Sequence, residues 1–118
     1  MKKVLVIDDN ESLRMELLNI LRLEGYEALG ARDGREGVQI VQQHLPDLII
    51  SDINMPILNG FEFIAELRRD SRTELIPVIL LSGGSELPQG LQAGAAGYLP
   101  KPCTVDEFLA AIKTQIGD

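Results

Sequence analysis

Three short runs in this chain are apolar at every position: Val4-Leu5-Val6-Ile7, Leu48-Ile49-Ile50 and Pro77-Val78-Ile79-Leu80-Leu81. With no polar face to turn to water, they suit strands covered on both sides. The first ends at Asp8-Asp9-Asn10, the second (47 to 51) at Asp52, the third at Ser82. Two weaker runs read as strands as well. Tyr26 to Ala31 carries a polar Glu27, which suggests an edge or near-edge place, and Ala96 to Leu99 is followed by Lys101-Pro102.

Between these runs the apolar period changes from every residue to every third or fourth. Leu13, Leu17, Ile20 and Leu21 predict a helix that starts near Asn10 or Glu11 and stops at Gly25. Asp33-Gly34 marks a turn. Val38, Val41 and Leu45 predict a second helix ended by Pro46. Phe61, Phe63, Ile64 and Leu67 predict a third, beginning just after Gly60 and fraying through Arg68-Arg69-Asp70. Val105, Phe108, Leu109, Ile112 and Ile116 predict a final helix. The stretch from Gly83 to Gly94 should hold one more, but Gly83, Gly84, Pro88 and Gly90 make this fourth helix short or irregular.

Strands and helices thus alternate five times. That pattern requires parallel strands, right-handed crossovers and helices on both faces of a five-stranded sheet, an α/β fold. The order of the strands is left open. Sites in such folds form in the crevice beyond the carboxyl ends of the strands. Here those ends supply Asp8 and Asp9, Asp52, Ser82 and Lys101. Three carboxylates in one crevice repel unless a cation sits among them. An all-oxygen donor set without a nearby His or Cys suits Mg²⁺, or Mn²⁺, rather than zinc. A lysine and a hydroxyl beside such an ion suit phosphate oxygens. The chemistry that fits is phosphoryl transfer to a carboxylate nucleophile. Asp8 and Asp9, being adjacent, suit metal holding, or simply capping of the first helix. Asp52 stands alone and suits the phosphoryl group.

The bulk numbers narrow the classes. The 118 residues fit one domain, 1–118, and 45% hydrophobic with 25% charged residues indicates a globular chain. A net charge of −7 argues against direct nucleic-acid binding, which needs a basic face. The single cysteine, Cys103, excludes an internal disulfide and a thiolate metal site. The single histidine, His44, falls at a helix end, where an exposed or capping place is expected. No apolar run approaches the roughly 18 residues of a membrane helix, so no membrane insertion is expected and the protein reads as cytoplasmic. No Gly-Lys-Ser/Thr follows a glycine loop, and no GxGxxG is present.

Taken together, Asp8-Asp9, Asp52-Ile53-Asn54-Met55-Pro56 with Gly60, Ser82, Gly94-Ala95 through Gly97-Tyr98, and Lys101-Pro102 resemble the motifs of a bacterial two-component response-regulator receiver domain of the stand-alone chemotaxis type. Each motif is weak alone, but five in order are specific, and the resemblance spans the whole chain. It implies a flavodoxin-like sheet of order 2-1-3-4-5, the family's order. It implies Asp52 as phosphoacceptor, charged by a partner histidine kinase or phosphotransfer protein, with Lys101 and Ser82 assisting. It implies Asp9 as a direct metal ligand, Asp8 acting mainly through water, and the backbone carbonyl of Asn54 as a further ligand. It implies a cis Lys101–Pro102 bond, and Ser82 and Tyr98 as a switch pair. The plain alternative for Tyr98 is a partly exposed sheet residue. The output would be a downstream protein target or a fused effector domain.

The chain departs from the family between Ser82 and Gly94, where it is about three residues shorter than the familiar chemotaxis protein. That stretch belongs to the surface the family uses to signal. Two rival readings remain. A Mg²⁺-dependent phosphohydrolase with an aspartyl nucleophile would place a second Asp two residues after the first, where this chain has Asn54. A degenerate receiver acting as a binding scaffold would lack an acidic or lysine position, and all are present.

Overall fold

In a computed structural model of the chain, residues 1–83 and 94–117 are described. The described residues form five strands and four helices: β1 (Lys3–Ile7), α1 (Glu11–Leu23), β2 (Glu27–Ala31), α2 (Gly34–His44), β3 (Leu48–Asp52), α3 (Gly60–Arg68), β4 (Val78–Ser82), β5 (Gly97–Pro100) and α4 (Val105–Ile116). All pairings are parallel, in the order β2-β1-β3-β4-β5. The expected short helix between Gly83 and Gly94 falls on 84–93, outside the described residues.

The sheet is covered on both sides, and the two-residue period of its strands sorts the core. Val4 and Val6, Leu48 and Ile50, and Ile79 and Leu81 pack on one face with Leu17, Leu18 and Leu21 of α1 and Phe108 and Ile112 of α4. Leu5 and Ile7, Ile49, and Val78 and Leu80 pack on the other with Val41 of α2 and Phe63, Ile64 and Leu67 of α3. Burying one such side chain fully is worth about 1.5–3 kcal/mol, so a one-residue slip of any inner strand is prohibitive. The apolar runs therefore set register as well as strand identity. The edge strands β2 and β5 are only partly buried, in keeping with Glu27.

Register aligns the strand ends. Ile7 pairs with Ser51, so Asp8 emerges beside Asp52. Asp52 pairs with Leu81, and Ser82 with Pro100, so Ser82 and Lys101 follow at the same edge. The Lys101 N–H donates to the Ser82 carbonyl at 3.0 Å, and the Lys101–Pro102 bond is cis.

Several local details differ from the sequence-based expectation. Asp33 does not open a free turn; its side chain accepts from the Glu36 N–H and caps α2, as an Asp before a helix favours. Leu45, in helical phase with Val38 and Val41, does not continue their core face. It instead ends α2 in the left-handed conformation (φ 46°) and is half exposed, because Pro46 stops the helix one residue later. Val105 begins α4 but is 48% exposed; its first-turn position turns away from the core that Phe108 and Ile112 enter. Two reciprocal caps went unread: Asn59 with Glu62 at α3, and Thr104 with Glu107 at α4. The N-x-x-E and T-x-x-E spacings were the available signals.

The loop from Ile53 to Asn59 brings α3 against the site. Gly60 donates to the Ile53 carbonyl at 2.9 Å. A Cβ on Gly60 would lie 2.8 Å from the Asp52 carbonyl oxygen and 2.9 Å from the Ile53 Cα, so only glycine permits this approach. In the same loop Ile57 holds φ 72°, and its side chain is 67% exposed. The left-handed region costs an L-residue about 1–2 kcal/mol, and a β-branched residue fits it poorly. Little burial is at stake, so Ile57→Gly is expected to raise stability by about 1 kcal/mol. A urea midpoint that moves up checks this; one that moves down would mean the Ile57 side chain contributes more than its conformation costs.

Candidate functional site

Asp8 follows β1 and is fully buried. Its backbone is pinned from both ends: its N–H donates to the Ala31 carbonyl at 3.1 Å, and its carbonyl accepts from Arg14 Nη1 at 2.8 Å. Its Oδ1 accepts the Asn10 N–H at 2.9 Å. Asn10 in turn caps α1 through the Leu13 N–H, so the acidic turn and the helix start are one structure. Asp9, by contrast, is exposed. Asp52 ends β3 at 6% exposure, and the backbone N–H of Asn54 bonds its carboxylate.

Lys101 reaches across the sheet end to both buried acids. Its Nζ donates to Asp52 Oδ2 at 3.0 Å and lies 3.1 Å from Asp8 Oδ2. The second contact is an ion pair without good hydrogen-bond direction, and Asp8 Oδ2, though buried, accepts no hydrogen bond. Burial pushes the Asp52 pKa above its usual value; the Lys101 hydrogen bond and charge oppose this, and the Asp8 charge adds to it. Burial works against the Lys101 ammonium, but the hydrogen bond to Asp52 and the charges of Asp8 and Asp52 outweigh that and hold its pKa above the usual lysine value.

Asp8, Asp9 and Asp52 each offer a carboxylate oxygen, and these oxygens lie within 4.8 Å of one another. One lysine cannot balance three carboxylates. The donor set is entirely oxygen, and Asp8 Oδ2, held by the Lys101 ion pair, accepts no hydrogen bond and keeps room for a further cation or donor. These residues fit a hard divalent cation.

The remaining expected residues lie close in the fold. Ser82 ends β4 and is partly buried. Tyr98, on β5, packs against the core face shared with α2 and α3, with Ala95 beside it. Its hydroxyl is buried without a hydrogen-bond partner, and burial raises its pKa. The residue as a whole is partly exposed, so the buried hydroxyl tip does not by itself separate a switch role from that of an ordinary sheet residue. Asn54 is exposed in the loop after Asp52. His44 is exposed at the end of α2, where its carbonyl accepts from Lys3 Nζ. Cys103 lines an apolar groove of about 150 Å³ between α1 and the start of α4, and burial keeps its thiol protonated. Among the described residues, no helix is long and apolar enough to cross a membrane.

The family model of the response regulator receiver domain matches residues 4–113. The chain belongs to the response regulator receiver family. This receiver domain is 35% identical to the polar-differentiation response regulator DivK of Brucella anthropi, over 99% of this chain and 98% of that protein. It superposes on the chemotaxis protein CheY4 of Vibrio cholerae with a TM-score of 0.93 and 36% identity, covering 98% of both chains. It superposes also on the receiver domain of a sensor histidine kinase from Pseudomonas aeruginosa, solved with a magnesium ion coordinated in its active-site cleft. The TM-score there is 0.92 at 27% identity, with 99% and 98% covered. Many curated relatives are longer: the receiver spans about half the length of several and 8% of one. The flavodoxin-like order 2-1-3-4-5 implied by the sequence motifs is the order found. As a receiver domain, the chain is a regulatory phosphoacceptor module of two-component signalling.

Proposed function

We propose that this receiver accepts a phosphoryl group on Asp52, with Mg²⁺, and that the modification changes the surface it offers to a partner. The observation that carries this is the ammonium of Lys101 shared between Asp52 and the buried Asp8, with the oxygens of Asp8, Asp9 and Asp52 within 4.8 Å of one another. Asp52 accepts the Lys101 hydrogen bond and keeps a little exposure, whereas Asp8 is fully buried and Asp9 has no described contact with the lysine.

In the transfer, a carboxylate oxygen of Asp52 attacks phosphorus. The bond from phosphorus to the donor's histidine nitrogen, or to the oxygen of a small acyl phosphate, breaks and leaves its electron pair with the donor. Lys101 stays charged throughout and contacts a phosphoryl oxygen as a point charge. Ser82 supplies a hydroxyl to another. Asp8, Asp9, Asp52 and the Asn54 carbonyl would hold the metal, which neutralises charge on the transferring group. Tyr98, partly exposed with its hydroxyl buried, pairs with Ser82 as the switch. The donor is a histidine kinase or phosphotransfer protein, the recipient of the signal is a downstream protein or a fused effector, and the setting is the cytoplasm. The domain acts as a switch rather than a turnover enzyme.

Acetyl phosphate with Mg²⁺ tests this. A single phosphoryl adduct is expected by intact mass, absent in chelator, and mapping to the peptide that holds Asp52. Absence of any adduct would leave a binding scaffold, and multiple turnover on phosphomonoesters would point to a hydrolase.

A further inference from the structure

Arg14 stands outside every motif singled out in the sequence, yet it is the cation most closely built into the acidic turn from the α1 side. Its side chain is 11% exposed. Burying a guanidinium is costly unless its donors are well used. Its acidic neighbour on the helix, Glu11, is 4.0 Å away and 84% exposed, an ion pair of little worth. The well-formed bond runs instead from Nη1 to the Asp8 carbonyl at 2.8 Å. The stem of Arg14 runs beside Gly30 on the neighbouring strand: a Cβ there would lie 3.5 Å from Arg14 Cδ, an ordinary packing distance, while the 2.9 Å approach to Leu18 Cδ1 is what the glycine relieves.

We propose that Arg14 is a positioning residue for the metal and phosphoryl site: its guanidinium holds the Asp8 carbonyl, and through it the turn that aims the Asp8 and Asp9 carboxylates at Asp52. The proposal rests on the metal-assisted reading of the site given above. The turn has four anchors: the Ala31 carbonyl on the Asp8 N–H, Arg14 on its carbonyl, the Asn10 N–H on Oδ1, and Lys101 beside Oδ2. Three of these are backbone groups or the phosphoryl-binding lysine. Arg14 is the anchor supplied by a helix, so it ties the position of α1 to that of the acids.

Electrostatics and positioning predict opposite signs. Deleting a cation near three carboxylates should, by charge alone, tighten binding of a divalent ion. Loosening the turn should weaken it, and outer supports of metal ligands typically carry tenfold or more in affinity. Arg14→Met keeps most of the apolar stem and removes the donors. Its Mg²⁺ affinity, followed by NMR titration well below the thermal midpoint, is expected to fall about tenfold. Arg14→Lys, which can still donate to the carbonyl, is expected to recover part of it. In the metal-free protein, exchange of the Asn10 amide should speed up in Arg14→Met. Affinity equal to or tighter than the parent, with Asn10 protection unchanged, overturns the proposal. If the parent itself binds no Mg²⁺, the functional reading fails, and the Asn10 exchange rate still decides whether Arg14 holds the turn.

Discussion

An Asp52→Asn variant is expected to take up no phosphoryl group from acetyl phosphate under conditions that label the parent fully. The amide is nearly isosteric, so the fold is kept while the nucleophile is lost. Asp8 is not a ready substitute, because it is fully buried and its Oδ1 is held by the Asn10 N–H. A residual adduct at the parent's level would remove Asp52 from the mechanism. The same variant has a second expected effect. The Asp52 pKa is raised in the fold above 3.8, by burial first, with the Asp8 charge adding and Lys101 opposing. The native state therefore prefers the protonated carboxyl. Its favourable contribution is complete below the unfolded pKa and is lost as pH rises through the folded value. In chelator at neutral pH, Asp52→Asn should melt above the parent, and the difference should shrink as pH falls toward the carboxylate range. Saturating Mg²⁺ should reverse the order. Binding to the native state adds about 2.7 kcal/mol at a hundred times the dissociation constant, and the variant has lost one ligand.

Lys101→Met should separate metal binding from chemistry. In the parent, Lys101 is 29% exposed while the carboxylates it faces are 0% and 8% exposed. Its pKa is raised, so its stabilisation is fully present below 10.5 and fades only as pH rises through its higher folded value. Methionine retains the stem and leaves two buried carboxylates facing each other. A fully buried pair broken this way costs about 3–5 kcal/mol; with the ammonium partly solvated, about 2 kcal/mol is expected at neutral pH. The loss should be smaller in acid, where the carboxylates protonate, and smaller in Mg²⁺, where a cation replaces the ammonium. Mg²⁺ affinity should rise, while labelling by acetyl phosphate should slow by about a hundredfold, the typical loss when one preorganised charge partner of a transition state is removed. A labelling rate equal to the parent's would exclude Lys101 from phosphoryl stabilisation.

Asp8, Asp9, Asp52, Ser82 and Lys101 were legible because each follows an apolar run, and parallel strands bring their carboxyl ends together whatever their order. Which acid is buried and which is wet was not legible. Asp8 and Asp9 are neighbours in sequence, yet the first enters the fold and the second faces solvent. That choice depends on the Ala31 carbonyl, Arg14 and Lys101, groups contributed by β2, α1 and the turn after β5.

Periodicity along the chain was enough to set the five strands, the ends of the described helices to within a few residues, and the identity of the acidic and basic groups at one edge. These follow from local periodicity and from chain chirality, which need no knowledge of neighbours. Contacts between distant segments set the ion pairing of Asp52 with Lys101, 49 positions apart, the burial of the Tyr98 hydroxyl, the left-handed Ile57, and the bond from Arg14 to the Asp8 carbonyl. Each is a matter of what distant segments place within a few ångströms, where burial and charge set the energy and sequence spacing carries no information.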